Sequence, residues 1–258
     1  MATHTFHTPG PVALALKVPT GSIEVETIDG EESTIEVEGN ERLVEQTEVR
    51  QEGDRIVVEL RGKKPFGITI AIGDFSFAQG GGSDLRVRAR VPHGSRPAID
   101  TASGDTVIRG RVGELDLKSA SGDVALNGEV ERDASIKSVS GDVRVDRGGG
   151  DLRFQTVSGD FVIRSLGGSA EGKSVSGDVR LEWTREGNVT VQSVSGDIDV
   201  GVASGTNLDV DAGSVSGDLS SEVPLGSEPG EANGDGPMLV VRGKTISGDF
   251  RVFRAERA

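Results

Sequence analysis

The chain has 258 residues, of which 42 are acidic and 28 are basic, so its formal net charge is −14. It contains no cysteine, which excludes disulfide cross-links and thiolate metal centres. Because it is acidic, poor in aromatic residues and without an evident basic stripe, the composition argues against nucleic acid or an anionic membrane as a partner.

The first segment, MATHTFHTPGPVALALKVPTG, has no basic region, and its apolar stretch covers only Val12 to Leu16. That stretch is too short for a signal peptide or a membrane span. No later segment reaches about 18 consecutive apolar residues. We therefore expect a cytoplasmic protein with no direct membrane insertion, which would reach the cell envelope only through a partner.

Residues 1–96 contain alternating patterns typical of strands, such as VALALKV, GSIEVETI, DRIVVEL and DLRVRARV. No window shows a sustained helical period. The stretch VPTGSIEVETIDG resembles a degenerate copy of the repeat that follows it. We expect residues 1–96 to cap or extend a repeat region at 97–258, with a loop at 78–84, as parts of one continuous domain.

From residue 97 onward the tripeptide Ser-Gly-Asp recurs eight times, at spacings of 18–21 residues and a last spacing of 31. Gly can take the positive φ of a tight turn, and Asp and Ser can accept hydrogen bonds from nearby backbone N–H groups. We therefore interpret the tripeptide as a structural turn. This turn ladder consists of Ser103, Gly104, Asp105, Ser121, Gly122, Asp123, Ser140, Gly141, Asp142, Ser158, Gly159, Asp160, Ser176, Gly177, Asp178, Ser195, Gly196, Asp197, Ser216, Gly217, Asp218, Ser247, Gly248 and Asp249.

Apolar residues recur at fixed positions around each turn. With the Ser as position 0, they occupy positions −4, −1, +3 and +5 of most units, as in Ile136, Val139, Val143 and Val145. We expect all four positions to face the core, with a bend just before the Ser.

A unit of this length cannot bury its own apolar face, so the copies must stack. The pattern predicts an all-β fold, a single-stranded β-solenoid of about eight rungs of 18–21 residues, with an N-terminal β cap or extension. An antiparallel sandwich is the alternative, since short strands and turns also suit it.

The last two units deviate from the pattern. Residues 221–238, SEVPLGSEPGEANGDGPM, are rich in Pro, Gly and acids, and they predict a flexible insertion. The stretch LVVRGKTISGDFRVF after it predicts the final rung. The ends of a solenoid expose unpaired strand edges. These edges would allow the chain to self-associate end to end.

A longer stretch carries a resemblance to a known family. Residues 84–126, DLRVRARVPHGSRPAIDTASGDTVIRGRVGELDLKSASGDVAL, and the SVSGDV units after them resemble the bacterial "putative adhesin" family of β-solenoids, also called toast-rack domains. The resemblance implies a right-handed parallel β-helix, no catalytic residues, and a binding or scaffolding role that relatives combine with cell-envelope stress signalling. Many relatives carry membrane segments, and this sequence departs from them in showing none.

Stacked turns would bring their Asp carboxylates about 4.8 Å apart. Because calcium takes about six to eight oxygen ligands, a calcium-binding structural solenoid is an alternative to a purely structural turn. The chain lacks the glycine-rich nonapeptide of calcium-binding solenoids, and we expect no cofactor. The hydroxyls at positions −2 and 0 also resemble the flat ladders of ice-binding solenoids, for which inward-facing hydroxyls are the simpler account.

A polysaccharide-acting β-helix enzyme is the remaining alternative, since unrelated functions share such folds. The three histidines, His4, His7 and His93, lie outside the repeats, and most repeats are too alike for one of them to be a catalytic centre. We therefore predict no enzymatic activity and no catalytic residue. The predicted function is non-catalytic binding or scaffolding of a protein partner, with contacts at residues 78–84, residues 221–238 and the cap.

Overall fold

The computed structural model describes residues 1–61, 69–72, 75–78, 85–223 and 236–255. Of the predicted loops, residues 79–84 and 224–235 therefore lie outside the described residues. The strands are β1 (Ala2–His7), β2 (Ala13–Lys17), β3 (Thr20–Ile28), β4 (Glu32–Glu38), β5 (Thr47–Glu52), β6 (Arg55–Leu60), β7 (Thr69–Ile72), β8 (Phe75–Ala78), β9 (Arg86–Pro92), β10 (Arg96–Val112), β11 (Leu115–Ser121), β12 (Val124–Val130), β13 (Ala134–Ser140), β14 (Val143–Gly148), β15 (Leu152–Ser158), β16 (Phe161–Leu166), β17 (Ala170–Ser176), β18 (Val179–Thr184), β19 (Gly187–Gln192), β20 (Ile198–Val202), β21 (Asn207–Ser216), β22 (Leu219–Ser221), β23 (Met238–Ser247) and β24 (Phe250–Arg254).

One helix, α1 (Glu41–Gln46), occurs among the described residues, and the side chain of Asn40 caps it by accepting the Arg42 N–H. The sequence did not predict α1, because six residues are too few to show a helical period. Within the described ranges no helix is long and apolar enough to cross a membrane.

The chain forms two compact units, Met1–Glu131 and Arg132–Ala258. In the first unit, β10 runs through a Ser-Gly-Asp turn as one strand and pairs in parallel with β2, β3, β11 and β12. Ser103 and Gly104 lie opposite Thr20 and Gly21. The stretch VPTGSIEVETIDG is therefore a rung without the Ser-Gly-Asp turn, which confirms its reading as a degenerate repeat. The division predicted at residue 96 stays a prediction.

Further strands complete the first unit. β6 and β9 continue the parallel stack beyond β2 and β3. Antiparallel strands then follow: β4 pairs with β9, β1 with β4, and β5 with β6. β7 and β8 form a separate antiparallel pair. Because the antiparallel strands pair with the outermost parallel ones, they satisfy backbone groups that a bare stack would expose.

The second unit is a stack of six rungs, each made of two strands that meet at a Ser-Gly-Asp turn. The rungs β13–β14, β15–β16, β17–β18 and β19–β20 follow one another in parallel register. This parallel pairing between successive repeats is that of a solenoid, whereas a sandwich of hairpins would pair them antiparallel. The predicted all-β solenoid is therefore confirmed.

The last two rungs occur in the reverse of their chain order. β19 and β20 pair with β23 and β24, and β21 and β22 pair with the far side of those strands. The prediction that the last repeat forms the final rung is therefore wrong. The final rung is β21–β22, and residues 222–237 connect it back to a rung that lies inside the stack.

The alternation of buried and exposed side chains corrects a second prediction. Positions −4, +3 and +5 face the interior as predicted, but position −1 faces outward, and Val175 and Val194 there are about half exposed. The interior position is −2, because side chains two residues apart share one face of a strand. Its hydroxyl residues are at most 6% exposed in Thr101, Ser119, Ser138, Thr156, Ser174, Ser193 and Thr245. The alternation ends at the Ser, which is exposed although strict alternation from position −2 would bury it, so the strand bends at the start of the turn.

In two units a glycine stands at position −4, and a neighbouring phenylalanine ring fills the space that its missing side chain leaves. A Cβ on Gly172 would lie 2.0 Å from the Phe154 ring, and a Cβ on Gly243 would lie 2.0 Å from the Phe250 ring. The Phe154 ring stacks on Phe161 with 3.9 Å between their centroids. The apolar core therefore continues along the stack where the repeat pattern has gaps.

Candidate functional site

The Ser-Gly-Asp turns are linked from rung to rung by side-chain hydrogen bonds. In the second unit, the Oδ1 of each Asp accepts the backbone N–H of the Asp in the next rung at 2.8–3.1 Å. In space the order is Asp142, Asp160, Asp178, Asp197, Asp249 and Asp218. In the first unit, Asp123 donates in the same way to Asp105 at 3.0 Å. Each bond joins two turns rather than closing one.

The turn glycines let stacked turns approach each other closely. Gly159 has a φ of 117°, and a Cβ placed on it would lie 2.4 Å from the carbonyl oxygen of Gly141. Six of the eight turn glycines have positive φ, and Gly104 and Gly217 do not. All eight turn serines are exposed.

The hydroxyl residues at position −2 are buried in seven of the eight units, whereas the serines at position 0 are exposed. The inward Ser174 hydroxyl donates to the carbonyl oxygen of Gly177 at 2.9 Å, closing the turn from inside. The flat double ladder of an ice-binding surface is therefore not formed by the described strands. No three His, Cys, Asp or Glu side chains of the described residues converge as a metal-binding group. The calcium alternative stays a prediction.

The outward residues at position −1 form an exposed apolar column in the second unit, called the valine column below. It consists of Val175, Val194, Ile246 and Val215, which are 47%, 46%, 53% and 82% exposed. Backbone hydrogen bonds from Ser195 to Val175 and from Ser247 to Val194 hold the column in register. Contiguous apolar surface of this kind is typical of contact sites.

The outward residues at position −3 form a second column, called the lysine column below. From rung to rung it reads Lys137, Gln155, Lys173, Gln192 and Lys244. Lysine and glutamine thus alternate, and all three lysines of the second unit are in this column. In chain order Gly213 would follow Gln192, but the exchange of the last two rungs places Lys244 there and Gly213 beyond it.

The lysine column carries positive charge that the protein does not neutralise. Neither Lys173 nor Lys244 has an ion pair within the described part of the chain, and their cross-strand neighbours are Gln155, Gln192 and Gly213. This column is not evident from the linear sequence, in which no basic stripe is seen. The charge was hidden because the lysines lie 36 and 71 residues apart along the chain.

Position −5 borders the lysine column. There Arg153 pairs with Glu171 at 3.8 Å, and Arg242 lies opposite Asp211 of the final rung. A depression of about 240 Å³ opens over the first three rungs, lined by Lys137, Gln155 and Lys173 among others. The column thus has both a concave entry and a flanking row of polar groups.

In the first unit, position −3 and its counterparts carry compensated charge. The column there reads Glu59, Lys17, Asp100 and Lys118. Lys17 pairs with Glu59, and Lys118 pairs with Asp100, each at 4.0 Å. Acidic and basic residues alternate, so the charges of this column are neutralised by their neighbours within it.

A third outward group surrounds Phe253. The guanidinium carbons of Arg180 and Arg251 lie 5.5 and 5.8 Å from the centre of its ring. Arg180 also pairs with Asp199 at 3.5 Å, and Arg251 pairs with Glu222. Burial raises the pKa of the Asp199 carboxyl, and the two arginines oppose that shift. The cations of this group already have partners.

One arrangement in the first unit resembles a hydrolase triad. Thr27 Oγ1 lies 2.7 Å from His93 Nδ1, and His93 Nε2 lies 3.6 Å from Asp29 Oδ1. However, the Thr27 hydroxyl accepts the backbone N–H of Arg111 at 2.8 Å and the residue is only 6% exposed. The Asp29 side chain is 99% exposed. A buried hydroxyl held in this way joins neighbouring strands and is not presented to a substrate.

Parallel strands stacked in rungs, repeated turns and regular outward columns define a β-solenoid repeat protein. The chain belongs to the toastrack family DUF4097, whose model matches residues 14–252. Its fold is similar to that of a "putative lipid binding protein" from Parabacteroides distasonis, with a TM-score of 0.61 and 17% identity. It is also similar to "putative adhesins" from Bacteroides fragilis (TM-score 0.56, 11% identity) and from P. distasonis (0.53, 13%). Each comparison covers 97% of this chain and 96% of the other. A search of curated proteins returned no significant match.

From the sequence, contact residues were expected in the irregular segments, and neither column was predicted. The signal was present in the repeats themselves. When the units are aligned on the Ser, position −3 reads as lysine and glutamine in turn from Lys137 to Gln192. The exposure of position −1 could have been inferred from strict two-residue alternation between positions −4 and −2.

Proposed function

We propose that the chain is a non-catalytic binding protein, a scaffold that holds a protein partner along the valine column. The supporting observation is the exposure of four stacked β-branched residues, which rises to 82% at Val215 on the final rung. β-branched side chains are stiff, so little conformational entropy is lost when a partner covers them. The flanking exposed serines and the Asp ladder supply the polar rim that protein interfaces use.

Two further points favour binding over catalysis. The triad-like hydroxyl of Thr27 is buried and already accepts a backbone hydrogen bond. The solved proteins of similar fold are named as adhesins or as lipid binding, each marked "putative". We therefore extend the proposal to an adhesion-like contact at the cell envelope, made through the protein partner.

Site-specific photocrosslinking in the native cell tests the proposal. A photoreactive residue at Val194 is expected to form a covalent adduct with one discrete protein, because it lies in the middle of the valine column. The matched control is the same residue at Val162, an outward and half-buried position of β16. The adduct should disappear when Ile246→Thr and Val215→Thr remove the neighbouring apolar surface.

The folded state of these variants can be checked independently. Exposed substitutions that keep a β-branched shape usually change stability by no more than about 0.5 kcal/mol, so the melting temperature should hold. Equal crosslinking at Val162 and Val194, or an adduct that survives both threonine substitutions, would contradict the proposal.

A further inference from the structure

We propose that the lysine column is a second binding site, separate from the valine column, and that its ligand is a linear acidic polysaccharide with one carboxylate for every two sugars. The column lies on the face formed by β13, β15, β17, β19 and β23. Within those strands the outward positions carry five bases and one acid, and β21 beside β23 adds the acids Asp209 and Asp211. The bases are Lys137, Arg153, Lys173, Arg242 and Lys244, and the acid is Glu171.

The net charge of the protein makes this excess significant. A chain of net charge −14 repels polyanions over most of its surface. Lys173 and Lys244 are exposed, lack ion pairs among the described residues and have only neutral cross-strand neighbours. Lys137 makes an interaction of its own, so the uncompensated charge counted here is that of the other two lysines. An anionic ligand is the chemistry that would neutralise it.

The spacing of the lysines selects among anionic polymers. Adjacent parallel strands lie about 4.8 Å apart, so lysines on every second rung recur at about 9.6 Å. Two sugars of an extended β-linked glycan span nearly this length. In an extended peptide, acidic side chains on one face recur at only about 6.8 Å, because each residue advances about 3.4 Å.

The residues between the lysines fit the neutral sugar of such a repeat. Gln155 and Gln192 present amides that both donate and accept hydrogen bonds, which suits hydroxyl and acetamido groups. The outward positions of these five strands hold no aromatic side chain. Single-stranded nucleic acid binds largely by stacking its bases on aromatic rings, so this face lacks what that ligand needs.

Binding of a labelled octasaccharide that alternates glucuronate with N-acetylglucosamine, followed by fluorescence anisotropy with the full chain, tests the site. The variant Lys173→Gln/Lys244→Gln converts the middle and end of the column to neutral amides. We expect it to weaken binding by about tenfold or more, because two exposed ion pairs with the glycan are lost. Added salt should weaken wild-type binding in the same direction.

The matched control is Lys17→Gln/Lys118→Gln, which removes the same net charge from the compensated column of the first unit. It should leave the affinity unchanged. A neutral N-acetylglucosamine oligomer should not bind, and an oligogalacturonate with a carboxylate on every sugar should bind no more tightly than the alternating glycan.

Several outcomes would overturn the proposal. Wild-type affinity in the Lys173→Gln/Lys244→Gln variant would remove the site, and equal loss in the control variant would reduce the effect to net charge. Tighter binding of oligogalacturonate would contradict the spacing, and tighter binding of an oligothymidylate would indicate a nucleic-acid site. Because none of these variants alters the valine column, failure here leaves the proposed protein scaffold untouched.

Discussion

The two units carry the same outward column with opposite consequences. In the first unit Glu59, Lys17, Asp100 and Lys118 alternate in charge, and each lysine has a carboxylate 4.0 Å away. In the second unit glutamine stands where the acids would be. One surface is satisfied by its own neighbours, whereas the other directs its charge outward. A repeat protein can therefore acquire a binding face by a few acid-to-amide exchanges, with no change of fold.

The largest effect on stability is expected at a turn glycine of the second unit, where successive turns stack most closely. In Gly159→Ala the new Cβ would meet the carbonyl oxygen of Gly141 at 2.4 Å, on a backbone with a φ of 117°. Backbone strain and steric displacement together should lower the free energy of unfolding by about 2–5 kcal/mol. Chemical denaturation measures this loss.

A second glycine separates the two causes of that loss. Gly205 also has a positive φ, but an added Cβ meets nothing within 4 Å. Gly205→Ala should therefore show the strain alone, at about 1–3 kcal/mol. If the two variants were equally destabilised, close stacking of the turns would play no part in stability.

The most direct test of the comparison gives the lysine column the charge pattern of the corresponding column in the first unit. Gln155→Glu/Gln192→Glu gives the second unit the alternating charges of the first, so its lysines gain partners across the strands. We expect binding of the alternating glycan to fall by about tenfold, equivalent to about 1.4 kcal/mol. The control Asp100→Gln, which removes one of the two carboxylates that pair with Lys118 in the first unit, should not reduce glycan binding. Retained affinity in the converted column would contradict the assigned role of the amides.

A smaller effect is expected at the turn ladder, which both units share. Asp160→Ala removes the acceptor of the Asp178 N–H and should cost about 0.5–1.5 kcal/mol. Asp160→Asn keeps an oxygen acceptor and removes only the charge, so it should be close to neutral. Thermal unfolding of both variants decides the matter. Stabilisation by both would mean that repulsion between stacked carboxylates outweighs their hydrogen bonds.

The fold could be predicted from the sequence because every repeat has nearly the same pattern of apolar residues around the same turn. Positions +3 and +5 are apolar and buried in most units, although Leu219 of the final rung is 54% exposed, and the turn glycines mark where strands bend. The prediction for position −1 was wrong because the apolar residues there were assumed to lie in the core. The buried residue is instead the hydroxyl residue at −2, which in Ser174 donates to the carbonyl oxygen of Gly177.

The order of the last two rungs could not be predicted from the sequence. The repeat pattern specifies that the copies stack but not which copy each one contacts. The backbone N–H groups of Asp218 and Asp249 make the same kind of hydrogen bond to the preceding turn, so the turn sequence does not distinguish the two orders. The lysine column depends on that choice, since Lys244 follows Gln192 only in the exchanged order. The long connection at residues 222–237 is the feature of the sequence that allows the chain to return to an inner rung.

The exchanged order also sets a sequence of events during synthesis. Domains generally begin to fold while the ribosome is still extending the chain from its amino end. β21 and β22 emerge before β23 and β24, yet these later strands are the surface on which they pack. Until residue 254 has been made, the rung of β19 and β20 has an open edge that β21 and β22 could occupy in the wrong place. Assembly of this end is therefore completed only once β23 and β24 have been made, and a chain cut short before β23 lacks the surface on which β21 and β22 pack.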